Sequence, residues 1–213
     1  MQHLENLAVM PFSSFVLQGL AGHQHEAELT DLLSLPGMMT FLAGVAYVKH
    51  SGVSVLANSL SNAGSRASFF VGIRNDITSY QGIRSLLECG VNVWAVDTAT
   101  RRRVYHPKLY LSQSAKSALA VVGSANLTAG GLGMNIETSA RLSFDLARNQ
   151  DQKAVSAVTQ VFDDLPKKHP HHVFASRTNR MQSDSWSRGV SWMSGSRSPT
   201  ILQVRRSWNG KMD

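Results

Sequence analysis

Residues 104–141, VYHPKLYLSQSAKSALAVVGSANLTAGGLGMNIETSAR, decide the reading of this chain. Three pieces stand out. His106-Pro107-Lys108 sits in an alternating apolar segment, Gly123-Ser124-Ala125-Asn126 follows an apolar run at 118–122, and Glu137 lies in a third alternating run at 136–144. Alternation with period two predicts strands. On the first of them Tyr105, Leu109 and Leu111 fall on one side and His106, Lys108 and Tyr110 on the other, so the histidine and lysine share a face. Glu137, Ser139 and Arg141 share a face of the third. A lone His-x-Lys arises by chance and a Gly-Ser pair is usually a turn. In this order, each at a strand end, the pieces make one candidate site.

The upstream chain supplies a scaffold. A short strand is expected near Phe15, Val16 and Leu17. Residues 23–35 read as a helix with a stripe of Ala27, Leu29, Leu32, Leu33 and Leu35, closed by Pro36-Gly37. His23, His25, Glu26 and Glu28 match no metal-ligand spacing, and their place is a solvated first helical turn. Residues 38–48 form a buried strand. Ser51 is the expected N-cap of a helix to about residue 61. Residues 67–73 form a second strand, Thr78 or Ser79 caps the next helix, and residues 91–96 form a third strand. Strand–helix–strand–helix–strand with continuous apolar runs predicts an α/β fold whose mixed central sheet is largely parallel and flanked by helices. After the third alternating run, residues 148–165 read as an amphipathic helix ended by Pro166. Residues 1–166 are therefore expected to form one domain. Residues 167–172 (KKHPHH) read as a basic linker whose histidines lack a fixed metal geometry, and the Ser-, Arg- and Trp-rich remainder to 213 as an irregular basic tail or a truncated second domain.

The 213-residue chain is long enough for one domain with a real core. Its net charge of +7 favours a polyanionic partner, nucleic acid first. Much of the excess lies in the tail: from Ser176 onward there are seven Lys or Arg against two Asp. Arg101, Arg102 and Arg103 precede the His106 strand and form a candidate phosphate-contacting lip. Cys89 is the single cysteine, so neither an intramolecular disulfide nor a metal site built on cysteine pairs can form. That fits a reducing cytoplasm, as does an N-terminus without a signal-peptide pattern. The longest apolar run is too short for a membrane span.

The residue types at the candidate site suit a phosphodiester. Lys108 offers a point charge and Asn126 amide donors to the charge of a pentacoordinate phosphorus. Ser124 adds a hydroxyl donor, and Gly123 is small enough for backbone to approach a phosphate. Neutral His106 can attack phosphorus and form a phosphohistidine. Glu137 can fix the tautomer of that histidine. No metal or other cofactor is implied. A second imidazole must stand opposite to protonate the leaving oxygen. The chain has no second His-x-Lys, so the in-line geometry calls for a homodimer joined through the active-site face.

This pattern resembles the phospholipase D superfamily, and within it the nuclease and restriction-endonuclease-like branch with a single motif per chain. The similarity runs over about residues 41–144 and includes Ala46-Tyr47-Val48, Ser51-Gly52-Val53 and Val71-Gly72. It implies His106 as nucleophile or general acid, Lys108 as phosphate binder, Ser124 and Asn126 as phosphate and imidazole partners, Glu137 as support for the histidine, and a dimer with one shared site. The longer form of the motif has Asp five residues after the lysine, where this chain has Gln113. The expected function is metal-independent cleavage of DNA by a restriction- or defence-type endonuclease, with sequence recognition in a separate subunit or domain. A phospholipid phosphodiesterase or phosphatidyltransferase and a non-catalytic nucleic-acid-binding module are the alternatives.

Overall fold

The structure is a computed structural model that describes residues 12–100 and 102–176. Arg101 and the tail beyond residue 176 lie outside the described residues. The chain builds one eight-stranded sheet in the order β1-β7-β6-β5-β2-β3-β4-β8. Its strands are β1 (Phe12–Gln18), β2 (Thr40–Val45), β3 (Ala67–Gly72), β4 (Asn92–Val96), β5 (Lys108–Gln113), β6 (Ser117–Gly123), β7 (Glu137–Asp145) and β8 (Val173–Ser176). The helices are α1 (His25–Leu33), α2 (His50–Val55), α3 (Ala57–Ala63), α4 (Tyr80–Glu88) and α5 (Asn149–Lys168).

The sheet is mixed but mostly antiparallel, which corrects the expectation of a largely parallel one. Only β2–β3 and β3–β4 run parallel; the other five neighbouring pairs are antiparallel. The reason is loop length. Helices α2, α3 and α4 carry the chain back across the sheet between β2, β3 and β4, as parallel pairing requires. Between β5 and β6 only Ser114–Lys116 intervene, enough for a hairpin and too few for a crossover.

Two layers of helix bury the two faces. Leu29, Leu32 and Leu33 of α1, Leu60 of α3 and Ile83 and Leu86 of α4 pack with Phe41, Phe69, Val71 and Tyr110 on one face. Val155, Val158 and Phe162 of α5 cover the other, against Leu109, Leu111, Phe70 and Trp94. Tyr110 thus lies on the face opposite Leu109 and Leu111, as the alternation requires.

Several boundaries differ from expectation for local reasons. The strand expected to hold His106 begins only at Lys108, because Pro107 has no N–H to give a ladder. The expected helix 51–61 is two helices broken at Leu56, and its N-cap is Lys49 rather than Ser51. The Ser51 hydroxyl instead accepts from Ala129 N. Ser79 does cap α4, accepting from Gly82 N at 3.1 Å. Helix α5 runs past Pro166 to Lys168. The stretch read as a linker finishes α5 and turns the chain into β8, where Asp97 N donates to His172 O and His172 Nδ1 lies 2.9 Å from Asp97 O. No helix among the described residues is long and apolar enough to cross a membrane.

Candidate active site

The topology gathers the motif residues at one end of the sheet. Strand β2 exits there into Tyr47, β5 enters from His106, β6 exits into Ser124 and Asn126, and β7 enters at Glu137. Lys108 Nζ lies 2.9 Å from His106 Nδ1 and 3.2 Å from Nε2, so the ammonium rests against the ring. Tyr47 closes the other side, its hydroxyl 3.1 Å from His106 Nε2 and its ring edge-on to the imidazole at 5.3 Å between centroids. Partial desolvation and then the Lys108 charge push His106 below the ordinary histidine range. The ring is therefore neutral at pH 7, the form that can attack phosphorus or take a proton. Lys108 is lowered too, by desolvation, with the Glu137 charge pulling the other way.

Tyr47 also ties this pair to the next loop. Its backbone N–H donates to Asn126 Oδ1 at 3.2 Å, Leu127 N donates to Tyr47 O, and Lys49 N donates to Leu127 O. The segment after β6 is thus stitched to the segment after β2, which holds Asn126 beside the tyrosine that touches His106. The amide Nδ2 of Asn126 makes no described hydrogen bond, so its two hydrogens are available to an anionic oxygen. In the sequence Tyr47 stands out only as part of the family resemblance. Its role could have been found from its place immediately past the end of a buried strand.

Ser124 and Glu137 form a second cluster. The Ser124 hydroxyl donates to Glu137 Oε2 and accepts from Thr138 N, while Asn135 Nδ2 donates to Glu137 Oε1 at 3.1 Å. Both carboxylate oxygens are engaged by these partners rather than by His106. Gly123 has a packing reason of its own, beside the one expected from the sequence. A Cβ there would lie 2.1 Å from Ser139 Oγ and 2.4 Å from Thr138 O, so the glycine permits close approach of β7.

The largest departure is His25. It is fully buried, not solvated. Its backbone N–H donates to Gln18 Oε1 at 3.0 Å, its Nδ1 lies 3.1 Å from the same oxygen, and its Nε2 lies 2.7 Å from Ser139 Oγ. The signal missed was its place at the very start of α1, where the chain enters the core beside β7. Burial lowers its pKa, opposed by the charges of Glu137 and Glu28. The unfolded state therefore binds the proton better, and stability is full above about pH 6.5 and is lost as pH falls toward the folded pKa. Urea midpoints measured from pH 7.5 to 5 should fall with acid, and His25→Asn should flatten that dependence. An unchanged slope in the variant would exclude His25 as its source.

Arg102 and Arg103 are exposed in the loop that leads to His106. Gln113 lies at the far end of β5, roughly 17 Å from Lys108 at about 3.3 Å per residue, and does not enter the site. Among the described residues no group of three His, Cys, Asp or Glu side chains could hold a metal ion.

No protein-family model matches the sequence, and neither does any curated protein. Solved structures do match. Nuc from Salmonella typhimurium, a phospholipase D family member, superposes with a TM-score of 0.50 at 12% identity over 79% of this chain and 99% of its own. The fold is phospholipase D-like. NucT from Helicobacter pylori gives a TM-score of 0.50 at 14% identity, covering 71% of this chain and 96% of that one. A phosphatidylserine synthase from Haemophilus influenzae gives 0.51 at 13% identity over 81% of this chain, which spans 41% of the synthase. Within this phospholipase D-like fold the β5–β6–β7 end carries His106, Lys108, Ser124, Asn126 and Glu137.

Proposed function

We propose that this protein is a phosphodiesterase that cleaves DNA without a metal ion, using a site completed by a second copy of the chain. The observation that carries the reading is the neutral His106 with Lys108 2.9 Å from its ring at the exposed end of the sheet. Lys108 and the Asn126 amide neutralise the phosphoryl oxygens. A nitrogen of the neutral His106 attacks phosphorus, the P–N bond forms as the P–O bond breaks, and the leaving oxygen takes a proton from His106 of a second copy, which enters the step as the imidazolium and leaves it as the neutral ring. Water, deprotonated by that second imidazole, then releases the phosphate and restores both rings.

A net charge of +7 and the exposed Arg102 and Arg103 favour a nucleic-acid substrate over a neutral headgroup. Leu20, Met134 and Ile136 are 66%, 81% and 68% exposed, and Ile136 directly precedes Glu137. A position on Gly19, next to Leu20, is in contact range of Ile136. This apolar rim beside the site supports pairing through the active-site face. The activity fits a restriction- or defence-type endonuclease of the cytoplasm, with DNA recognition supplied by a separate subunit or domain.

The test is incubation of the purified protein with duplex DNA and with phosphatidylcholine vesicles, each in EDTA. Cleavage of DNA alone is expected, by a species that sediments as a dimer. DNA binding without cleavage, in EDTA or with divalent metals, would establish the non-catalytic module, and hydrolysis of the lipid alone would establish the phospholipid enzyme. Full activity in a species that sediments as a monomer would overturn the shared site.

A further inference from the structure

Behind the site lies a buried polar assembly that the proposed chemistry does not use. Gln18, His25 and Ser139 are 0%, 0% and 3% exposed. The Gln18 amide nitrogen donates to three carbonyls, Gly130 O at 3.3 Å, Gly131 O at 3.3 Å and Asn135 O at 2.9 Å. Its oxygen accepts from the His25 backbone N–H. These partners fix the amide orientation, since the reverse would set oxygen against three oxygens and NH2 against N–H. The Gln18 oxygen accepts only, so His25 Nδ1 carries the ring proton facing it. Nε2 of the neutral ring is then an acceptor, and the Ser139 hydroxyl donates to it.

The segment that Gln18 grips holds two of the site residues. It is the π-helical turn Gly130–Met134 with Asn135 after it. Gly131 is packed so closely on Asn126 that a Cβ there would lie 2.3 Å from Asn126 O and 2.7 Å from Asn126 N. Asn135, whose carbonyl Gln18 binds, donates its side-chain amide to Glu137. One buried amide thus reaches Asn126 through the turn and Glu137 through Asn135. Local bonds tie the turn to its flanks: Leu132 N donates to Thr128 O, Gly131 N to Thr128 Oγ1 and Asn135 N to Gly130 O, and Gln18 is the partner that reaches it from another strand.

We propose that Gln18, oriented by His25 and Ser139, is a positioning residue that sets the Asn126 amide and the Glu137 carboxylate at the phosphate site. The role rests on the phosphodiesterase reading for its catalytic consequence, but the geometry it asserts is independent of any activity. Gln18 touches no substrate and acts through the 130–135 segment. Residues that act through a turn alter the alignment of the reacting groups more than the affinity for substrate, so kcat is the quantity affected.

The experiment uses the full chain with Gln18→Met, which keeps length and volume but removes both hydrogen-bonding ends, and Ser139→Ala, which removes only the hydroxyl that holds the His25 ring. The side-chain amide resonances of Asn126 and Asn135 are followed by 15N–1H correlation spectra, and kcat and KM are measured on DNA. In Gln18→Met both resonances should shift or broaden while backbone amides of β2 and β5 stay in place. The kcat should fall at least tenfold with KM within about twofold. In Ser139→Ala the same resonances should shift less, with a smaller loss of kcat. Unmoved Asn126 and Asn135 resonances in either folded variant would overturn the proposal. Should Gln18→Met not fold, the Ser139→Ala spectra decide. A wild-type protein without cleavage activity refutes the phosphodiesterase reading alone and leaves the spectra to decide this one.

Discussion

His106→Ala is expected to lower the proposed DNA-cleavage rate by at least about a thousandfold and to leave DNA affinity within about threefold of wild type at the same salt. The two halves of this result have separate structural causes. The rate loss follows because His106 is the imidazole that partial desolvation and Lys108 hold neutral, the form proposed to attack phosphorus. His25 is not a substitute: it is fully buried and both its ring nitrogens are engaged. The affinity should be retained because neutral His106 adds no charge, and the cations proposed to meet a polyanion, Lys108, Arg102 and Arg103, are untouched. The slope of log K against log salt should therefore be unchanged in His106→Ala and shallower in Lys108→Ala. Folding is also spared. His106 is exposed and touches only Tyr47 and Lys108 by hydrogen bond, so its truncation should move the thermal midpoint by no more than about 2 °C. Residual cleavage near the wild-type rate in a well-folded His106→Ala protein would falsify the nucleophilic role.

How far the sequence carried depends on the kind of interaction. Period-two alternation placed Tyr110 opposite Leu109 and Leu111, and Leu29, Leu32 and Leu33 of α1 and Ile83 and Leu86 of α4 are buried as their spacing requires, whereas Ala27, read into the α1 stripe, is exposed. Burial of apolar surface is a local, repeated signal, and it survives without knowledge of partners. The parallel direction held for β2, β3 and β4 but did not extend to the rest of the sheet, because the alternating β–α–β pattern ends at β4 and the other pairs run antiparallel. His106 and Lys108 meet because two residues of extended chain span little distance. Tyr47 and Asn126 meet through a contact between segments 79 residues apart, which no local pattern reports. His25 fell further out of reach. A histidine at a helix start is ordinarily solvated, and its burial depends on Gln18 and Ser139 arriving from β1 and β7 to satisfy both ring nitrogens. Glu137 lies in the same class: its position was legible, whereas its partners, Ser124 and Asn135, were set by the turn that precedes β7.

Gly123→Ala separates two reasons for a glycine at the end of β6. If the residue serves to admit a phosphate, the alanine protein folds with a normal thermal midpoint and loses only substrate affinity. The structure gives the opposite expectation. The added methyl would lie 2.1 Å from Ser139 Oγ, 2.4 Å from Thr138 O and 2.5 Å from Ser139 Cα, and the last two are backbone atoms of the neighbouring strand. The Ser139 hydroxyl cannot turn aside freely, because His25 Nε2 holds it at 2.7 Å. Relief must come from separating β6 and β7 where Gly123 pairs with Ser139. Overpacking of this kind costs about 3 kcal/mol, which for a domain of this size is a fall in Tm of roughly 6–12 °C. The displaced strand end carries Ser124 on one side and Glu137 on the other, and the Ser124–Glu137 and Ser124–Thr138 hydrogen bonds cross the widened gap. Activity measured well below the lowered midpoint should therefore fall as well, while the salt-dependent DNA affinity carried by Lys108 and the arginines stays near wild type. A normal midpoint combined with weakened binding would return Gly123 to the phosphate site; a lowered midpoint with retained binding assigns it to the approach of β7.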